Sequence, residues 1–313
     1  MAATKFTKDS VVCFFGDSIT AHGGWIRRIY DHYRLEEKIP CKMFNCGVGG
    51  DSASKGVWRL EETVLCYQPT DVVIAFGMND SGYWAYNDEP LTERGVLNRR
   101  RMQDNCISSL RMIAAKCLSR NIRVTLCTPT VPDEWKECEA PVFLGVTGAL
   151  VELSLRIRAL AEELGVGFVD FTVPFRRMAH KLNAQGYSLV GPDRVHPVAE
   201  GHELMAKLFL GAQGFAVDIP ETWEQLQTLA ALPHDQWEDE RYRLELEANA
   251  TMFVEWNYAY GKRSQEAIDQ FIADQLQQEQ RISVRQRAEN YAKLRDLIPA
   301  RRKALVEHTN TVK

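Results

Sequence analysis

Five short apolar runs punctuate the first 170 residues: Val11–Phe15, Lys42–Asn45, Asp71–Phe76, Ile122–Cys127 and Gly167–Asp170. Val, Ile, Phe and Cys dominate them, without apolar–polar alternation. That is the pattern of strands buried on both faces. Longer stretches with apolar residues at helical spacing lie between. Gly24–Glu37 carries Trp25, Ile26, Ile29, Tyr30 and Tyr33, and Ala53–Cys66 carries Val57, Leu60, Val64 and Leu65. Leu97–Arg120 sets Ile107, Leu110, Ile113, Ala114 and Cys117 on one face, and Leu150–Leu164 is another helix. Pro197 suits the first turn of a helix through Leu210. Strands alternating with helices predict an α/β fold, a three-layer sandwich around a five-stranded parallel sheet. Ligands of such sheets sit beyond the carboxyl ends of the strands.

After Gly214 no further strand is visible. Pro220–Leu232, Gln236–Tyr260, Gln265–Gln280 and Val284–Leu297 read as helices, with Pro299 interrupting the last. Asp235 is placed as a cap and Gly261 as a stop for the second of these. The predicted division is therefore 1–214, an α/β domain, and 215–313, a C-terminal helical extension. Phe253, Trp256 and Tyr260 share one face. Such a stripe predicts an interface, either against the α/β domain or in a homo-oligomer through the C-terminal helices. The basic run Arg281, Arg285, Arg287, Lys293, Arg295, Arg301, Arg302 and Lys303 reads as a solvated face, with the acidic stretch 235–247 as its partner.

Composition removes several classes. An apolar share of 45% and a charged share of 26% over 313 residues are ordinary for a globular chain. A net charge of −4 does not favour a nucleic-acid partner. The first residues lack the apolar core of a secretion signal, and no run reaches the roughly 18 apolar residues of a membrane span. A cytoplasmic location without a membrane partner is expected. None of the 8 cysteines forms a Cys-x-x-Cys pair, so packed, reduced thiols are expected rather than disulfides or a zinc site.

Gly16-Asp17-Ser18 follows the first strand-like run, and a serine there is a candidate nucleophile. A serine hydroxyl needs a base to take its proton and donors to hold the oxyanion it creates. His196 is the candidate base. Asp193, three residues earlier, reaches its other ring nitrogen if both lie on one turn. Asp170 also ends a strand and is the alternative carboxylate; the local spacing favours Asp193. The candidate oxyanion donors are the N–H groups of Ser18 and Gly50 and the side-chain amide of Asn79. Asp17 reads as a turn-former and Asp80 as a residue holding the Asn79 loop. Asp17, His22 and Trp84 are candidate substrate contacts. Trp25, Tyr83, Tyr86 and Trp135 are further aromatic residues expected near the site edge.

These fragments resemble the blocks of the SGNH hydrolases, the GDSL esterase/lipase family. Gly16-Asp17-Ser18 matches the first block and the Asn45–Asp51 stretch the second. Gly77-Met78-Asn79-Asp80 matches the third, and Asp193-Arg194-Val195-His196-Pro197 the fifth. The resemblance covers about residues 8–212. It implies a flavodoxin-like sandwich, hydrolysis through an acyl-enzyme, and no metal or other cofactor. The segment Trp58-Arg59, Gln68-Pro69-Thr70-Asp71 and Trp84 is similar to acetylxylan-esterase-like members. That branch implies a serine esterase releasing short acyl groups, chiefly acetyl, from a small-molecule or oligosaccharide ester. A lysophospholipase or acyl-thioesterase with an apolar tunnel is the alternative within the family. A non-catalytic carbohydrate-binding protein is the alternative outside it.

Overall fold

A computed structural model describes residues 2–86, 92–135, 143–245, 248 and 298–312. The chain divides into two compact units, residues 1–234 and 235–312.

In the first unit, β1 (Val11–Gly16), β2 (Lys42–Gly47), β3 (Asp71–Ala75), β4 (Arg123–Cys127) and β5 (Gly167–Val169) form one parallel sheet in the order β2-β1-β3-β4-β5. The helices are α1 (Ser18–His22), α2 (Gly24–Asp31), α3 (Ala53–Thr63), α4 (Glu93–Leu118), α5 (Val146–Leu164), α6 (Thr172–Asn183), α7 (Ala199–Ala212) and α8 (Trp223–Ala230). The α/β sandwich expected from the sequence is the observed fold. Two helices go beyond the reading, α1 and α6. The first predicted helix is also shorter: α2 ends at Asp31 and the chain runs on through a π-type turn over His32–Glu36.

Successive strand residues point to opposite faces, and β1 shows what each face buries. Phe14 meets Trp25 of α2 and Phe209 of α7, while Phe15 meets Phe76 and lies under Arg59 of α3. Phe14, Phe15 and the three rings they meet are all buried, which explains the unbroken apolar runs. The chain passes from β1 to β2 on one side and returns to β3 on the other. The carboxyl ends of β1 and β3 thus bound the switch-point crevice of an open parallel sheet.

The first unit continues past Gly214. α8 packs on α7, Leu226 is buried, and Arg28 donates to the carbonyls of Ala230 (3.1 Å) and Leu232 (2.9 Å). The stretch 215–234, assigned from the sequence to the extension, therefore lies within the α/β unit.

In the second unit, residues 236–245 are helical and a further helix spans Ile298–Thr309. Trp237 stacks on His308 at 4.7 Å and accepts its Nε2 at the main-chain carbonyl. Arg241 is fully buried and held by Glu238 (2.7 Å) and Glu245 (2.9 Å). Part of the acidic stretch thus serves a cation in its own helix. The Phe253–Trp256–Tyr260 stripe, the helices predicted over 265–280 and 284–297, and most of the basic run lie outside the described residues. Among the described residues no helix is long and apolar enough to cross a membrane, no disulfide forms, and no cluster of His, Cys, Asp and Glu is arranged for a metal ion.

Candidate active site

β1 stops at Gly16 because the chain must turn hard there. A Cβ at Gly16 would lie 2.2 Å from Thr20 Oγ1 and 2.4 Å from the Ala75 carbonyl. Asp17 then caps α1, its Oδ1 accepting the Ile19 N–H at 3.0 Å. Asp17 is 3% exposed, and burial lifts its carboxyl to about 7 against the Ile19 hydrogen bond. Its place is therefore in the turn, and it is closed to a substrate. Ser18 becomes the first residue of α1, where a backbone N–H has no acceptor within the helix.

Ser18 Oγ lies 2.8 Å from His196 Nε2, and His196 Nδ1 lies 2.5 Å from Asp193 Oδ2. With Nδ1 protonated towards the carboxylate, Nε2 is the acceptor of the serine proton. The other carboxylate oxygen of Asp193 accepts the N–H groups of Val195 and His196, both at 3.0 Å. Partial burial raises the Asp193 carboxyl. Those two N–H groups and the His196 ring outweigh it and hold the acid below its ordinary value. Asp170 stands elsewhere: it accepts Thr128 Oγ1 and the Val173 N–H at the start of α6.

The loop carrying Asp193 and His196 is closed by an antiparallel bridge between Val190 and Pro197 and by the Gly191 N–H donating to the His196 carbonyl at 2.8 Å. Arg194 anchors it from behind. That residue is buried in the left-handed region (φ 67°), and its guanidinium donates to the Asp133 carbonyl at 3.0 Å. Asp133 in turn accepts Trp135 N–H, Asn183 Nδ2 and Ser188 Oγ. From the sequence Arg194 is named only within its matching block, without a role, and Asp133 is not named at all.

Gly50 follows β2 and Asn79 follows β3, the two strands flanking β1. Gly50 has φ +70° and nothing within 4 Å of where a Cβ would sit, so its backbone is open to a ligand. Asn79 Nδ2 donates to the Asp51 carbonyl at 2.7 Å. Asp80 is buried and accepts the Ala53 N–H at 3.0 and 3.2 Å, which fixes the Asn79 loop on the start of α3. Burial lifts Asp80 to about 7, opposed by that N–H.

Beneath these loops lies Arg59, fully buried. Its Nε donates to Asp51 Oδ2 (2.6 Å), Nη1 to the Cys46 carbonyl (2.7 Å), and Nη2 to the Gly16 carbonyl (2.9 Å). One guanidinium thus ties the ends of β1 and β2 to the Gly50–Asp51 turn. Burial raises the Asp51 carboxyl, and Arg59 opposes it.

Around the rim, Trp84 is 50% exposed and meets Tyr83 edge-on at 5.2 Å. Phe143 braces Tyr83 from another side at 5.0 Å. Burial and the charges of Asp193 and Asp17 raise the Tyr83 hydroxyl, so this ring stands within electrostatic reach of both carboxylates. Two aromatic residues expected at the edge are elsewhere. Trp25 is fully buried against Phe14, Phe171 and Phe209, and Tyr86 is buried under Arg99. Trp135, 42% exposed, meets His180 edge-on. His22 lies at the exposed end of α1, stacked on His202.

The model of the GDSL-like lipase/acylhydrolase family matches residues 14–204. The chain belongs to that family. This acylhydrolase is a carboxylic ester hydrolase, and its α/β fold matches that of its structural neighbours. It is 26% identical to an acetylxylan esterase of Geobacillus stearothermophilus over 179 residues, 57% of this chain and 74% of the relative. A solved structure of an acetylxylan esterase from that organism superposes with a TM-score of 0.55 at 22% identity, covering 68% of this acylhydrolase and 97% of the neighbour. Another solved acetyl xylan esterase, 25% identical, has a TM-score of 0.51 over 64% of this chain and 98% of its own. A gut microbial diltiazem-metabolizing enzyme matches 99% of the chain and 96% of its own length, with a TM-score of 0.82 at 17% identity.

Proposed function

We propose that this acylhydrolase is a serine esterase that removes short acyl groups, chiefly acetyl, from carbohydrate-type alcohols. The observation that carries the reading is the continuous hydrogen-bonded chain from Ser18 through His196 to Asp193. His196 takes the proton as Ser18 Oγ attacks the ester carbonyl, and Asp193 steadies the imidazolium. The N–H groups of Ser18 and Gly50 and the Asn79 amide hold the oxyanion. His196 then returns the proton to the departing alcohol, leaving acetyl on Ser18. Water, deprotonated by the same imidazole, attacks the acyl-enzyme and releases acetate, and the proton goes back to Ser18. The curated relative named acetylxylan esterase supports the acetyl and sugar parts of the reading. Two solved forms of the Geobacillus enzyme are catalytic mutants, one with a serine and one with a histidine replaced by alanine.

The test is hydrolysis of p-nitrophenyl esters across acyl length, then of acetylated xylo-oligosaccharides and diltiazem, with Ser18→Ala alongside. Activity that falls steeply beyond acetate, extends to sugar acetates and vanishes in the variant is the expected result. An optimum beyond about eight acyl carbons would move the enzyme to lipid or thioester substrates. Sugar binding without Ser18-dependent hydrolysis would make it a binding protein on this fold.

A further inference from the structure

Two histidines beside Ser18 and His196 take no part in the steps above. His22 stands four residues after Ser18 on α1, one turn along and on the same face of the helix. His202 of α7 lies flat against it, with ring centroids 4.7 Å apart and planes within 11°. The backbone of Gly24 also lies close, and a Cβ there would come within 2.8 Å of the His202 ring. The His202 ring is therefore tightly packed, and its stack sets the plane of His22.

His202 is an unusual residue for mere filling. It is 3% exposed, and neither ring nitrogen has a hydrogen-bond partner. Buried polar atoms without partners are rare and call for a reason. Here burial holds His202 uncharged, pushing it down to about 3, with the charges of His22 and His196 acting in the same direction. Burial and His196 also lower His22. The result is an uncharged imidazole at the exposed end of α1, one turn from the nucleophile. A neutral imidazole both donates and accepts, which suits a hydroxyl rather than an anion. A second positive charge there would also oppose the imidazolium that His196 becomes in each half-reaction.

We propose that His22, held flat by His202, hydrogen-bonds a hydroxyl on the alcohol half of the ester and so selects polyhydroxy acetates over plain ones. This rests on the carbohydrate-ester reading above. The experiment compares kcat/KM for a mono-acetylated xyloside with that for p-nitrophenyl acetate, in the full chain and its variants. The ratio of the two is expected to fall about fivefold in His22→Phe, mainly through KM for the xyloside, as for loss of one neutral hydrogen bond. His22→Gln, which keeps a donor and an acceptor, restores most of it. His202→Ala lowers the ratio by releasing the ring, and His202→Phe, which keeps the stack, restores it. A ratio unmoved in His22→Phe, or both substrates slowed equally, overturns the proposal. If the natural chain hydrolyses no sugar acetate at all, the carbohydrate reading fails first and takes this one with it.

Discussion

The side-chain amide of Asn79 donates to the main-chain carbonyl of Asp51 across 2.7 Å. The loop after β3 is thereby tied to the loop after β2. An amide nitrogen carries two hydrogens, so one is committed to holding the loops together and the other is left for the proposed oxyanion role. Asn79→Ala is expected to lower kcat about 100- to 1000-fold on p-nitrophenyl acetate, with KM little changed. Steady-state kinetics decide it; a loss below tenfold would remove Asn79 from the oxyanion site.

Ser18→Ala is expected to cut ester hydrolysis by about a thousandfold or more. The natural chain should gain one phosphonyl adduct when treated with a fluorophosphonate, and peptide mass spectrometry should find it on Ser18. An adduct on another serine, or none with activity intact, would refute the proposed nucleophile.

Arg59 pairs with Asp51 in full burial. Arg59→Met leaves that carboxylate buried without its cation and frees the carbonyls of Cys46 and Gly16. Breaking one side of a buried pair costs about 3–5 kcal/mol. Urea unfolding should register a loss of this size, and a change under about 1 kcal/mol would show that the clamp adds little to stability.

Asp80 is held near 7 in the folded state by burial, against an ordinary value of about 3.9 when unfolded. The native state therefore keeps a proton that the unfolded chain releases between about pH 4 and 7. Its contribution to stability is fully present below about pH 4 and is lost as the pH rises through 7. Asp80→Asn removes this slope. Relative to the natural chain, its melting temperature should rise between pH 5 and pH 8. A difference that stays flat or falls over that range would mean that Asp80 is ionised in the native state throughout.

Where the α/β unit ends is open to a direct trial. Truncation after His234 keeps α8, Leu226 and the Arg28 contacts to the carbonyls of Ala230 and Leu232. Truncation after Gly214 removes them and bares α7. The shorter chain is expected to melt lower and to aggregate by light scattering. Equal melting of the two would place the boundary back near Gly214.

The strands were legible because both faces of β1 are covered, so Val12 to Phe15 had to be apolar without a break. The four loop fragments stand out in the sequence because the proposed nucleophile, base and donors call for particular residue types. α6 was missed although Phe175, Met178, Ala179 and Leu182 are buried at helical spacing; Pro174 in its first turn hid it. α1 was missed because five residues carry no period. Arg59 was quoted from the sequence but given no role, since a charged residue is read as surface by default and its burial depends on Asp51 and two carbonyls distant in sequence. Nothing in the sequence marks His202, because a ring stack leaves no trace in spacing.

The eight residues from Val190 to Pro197 form a self-contained cartridge. Its ends are stitched by the 190–197 bridge, its acid is set by Val195 and His196 N–H groups, and it rests on Asp133 through Arg194. Little of the Asp193–His196 geometry is thus borrowed from the sheet, whereas the proposed oxyanion donors are spread over three strand ends. Protein engineers can treat the two halves separately. The cartridge is a candidate for transplantation as one piece between relatives, while any redesign of the oxyanion side must move three loops and Arg59 together.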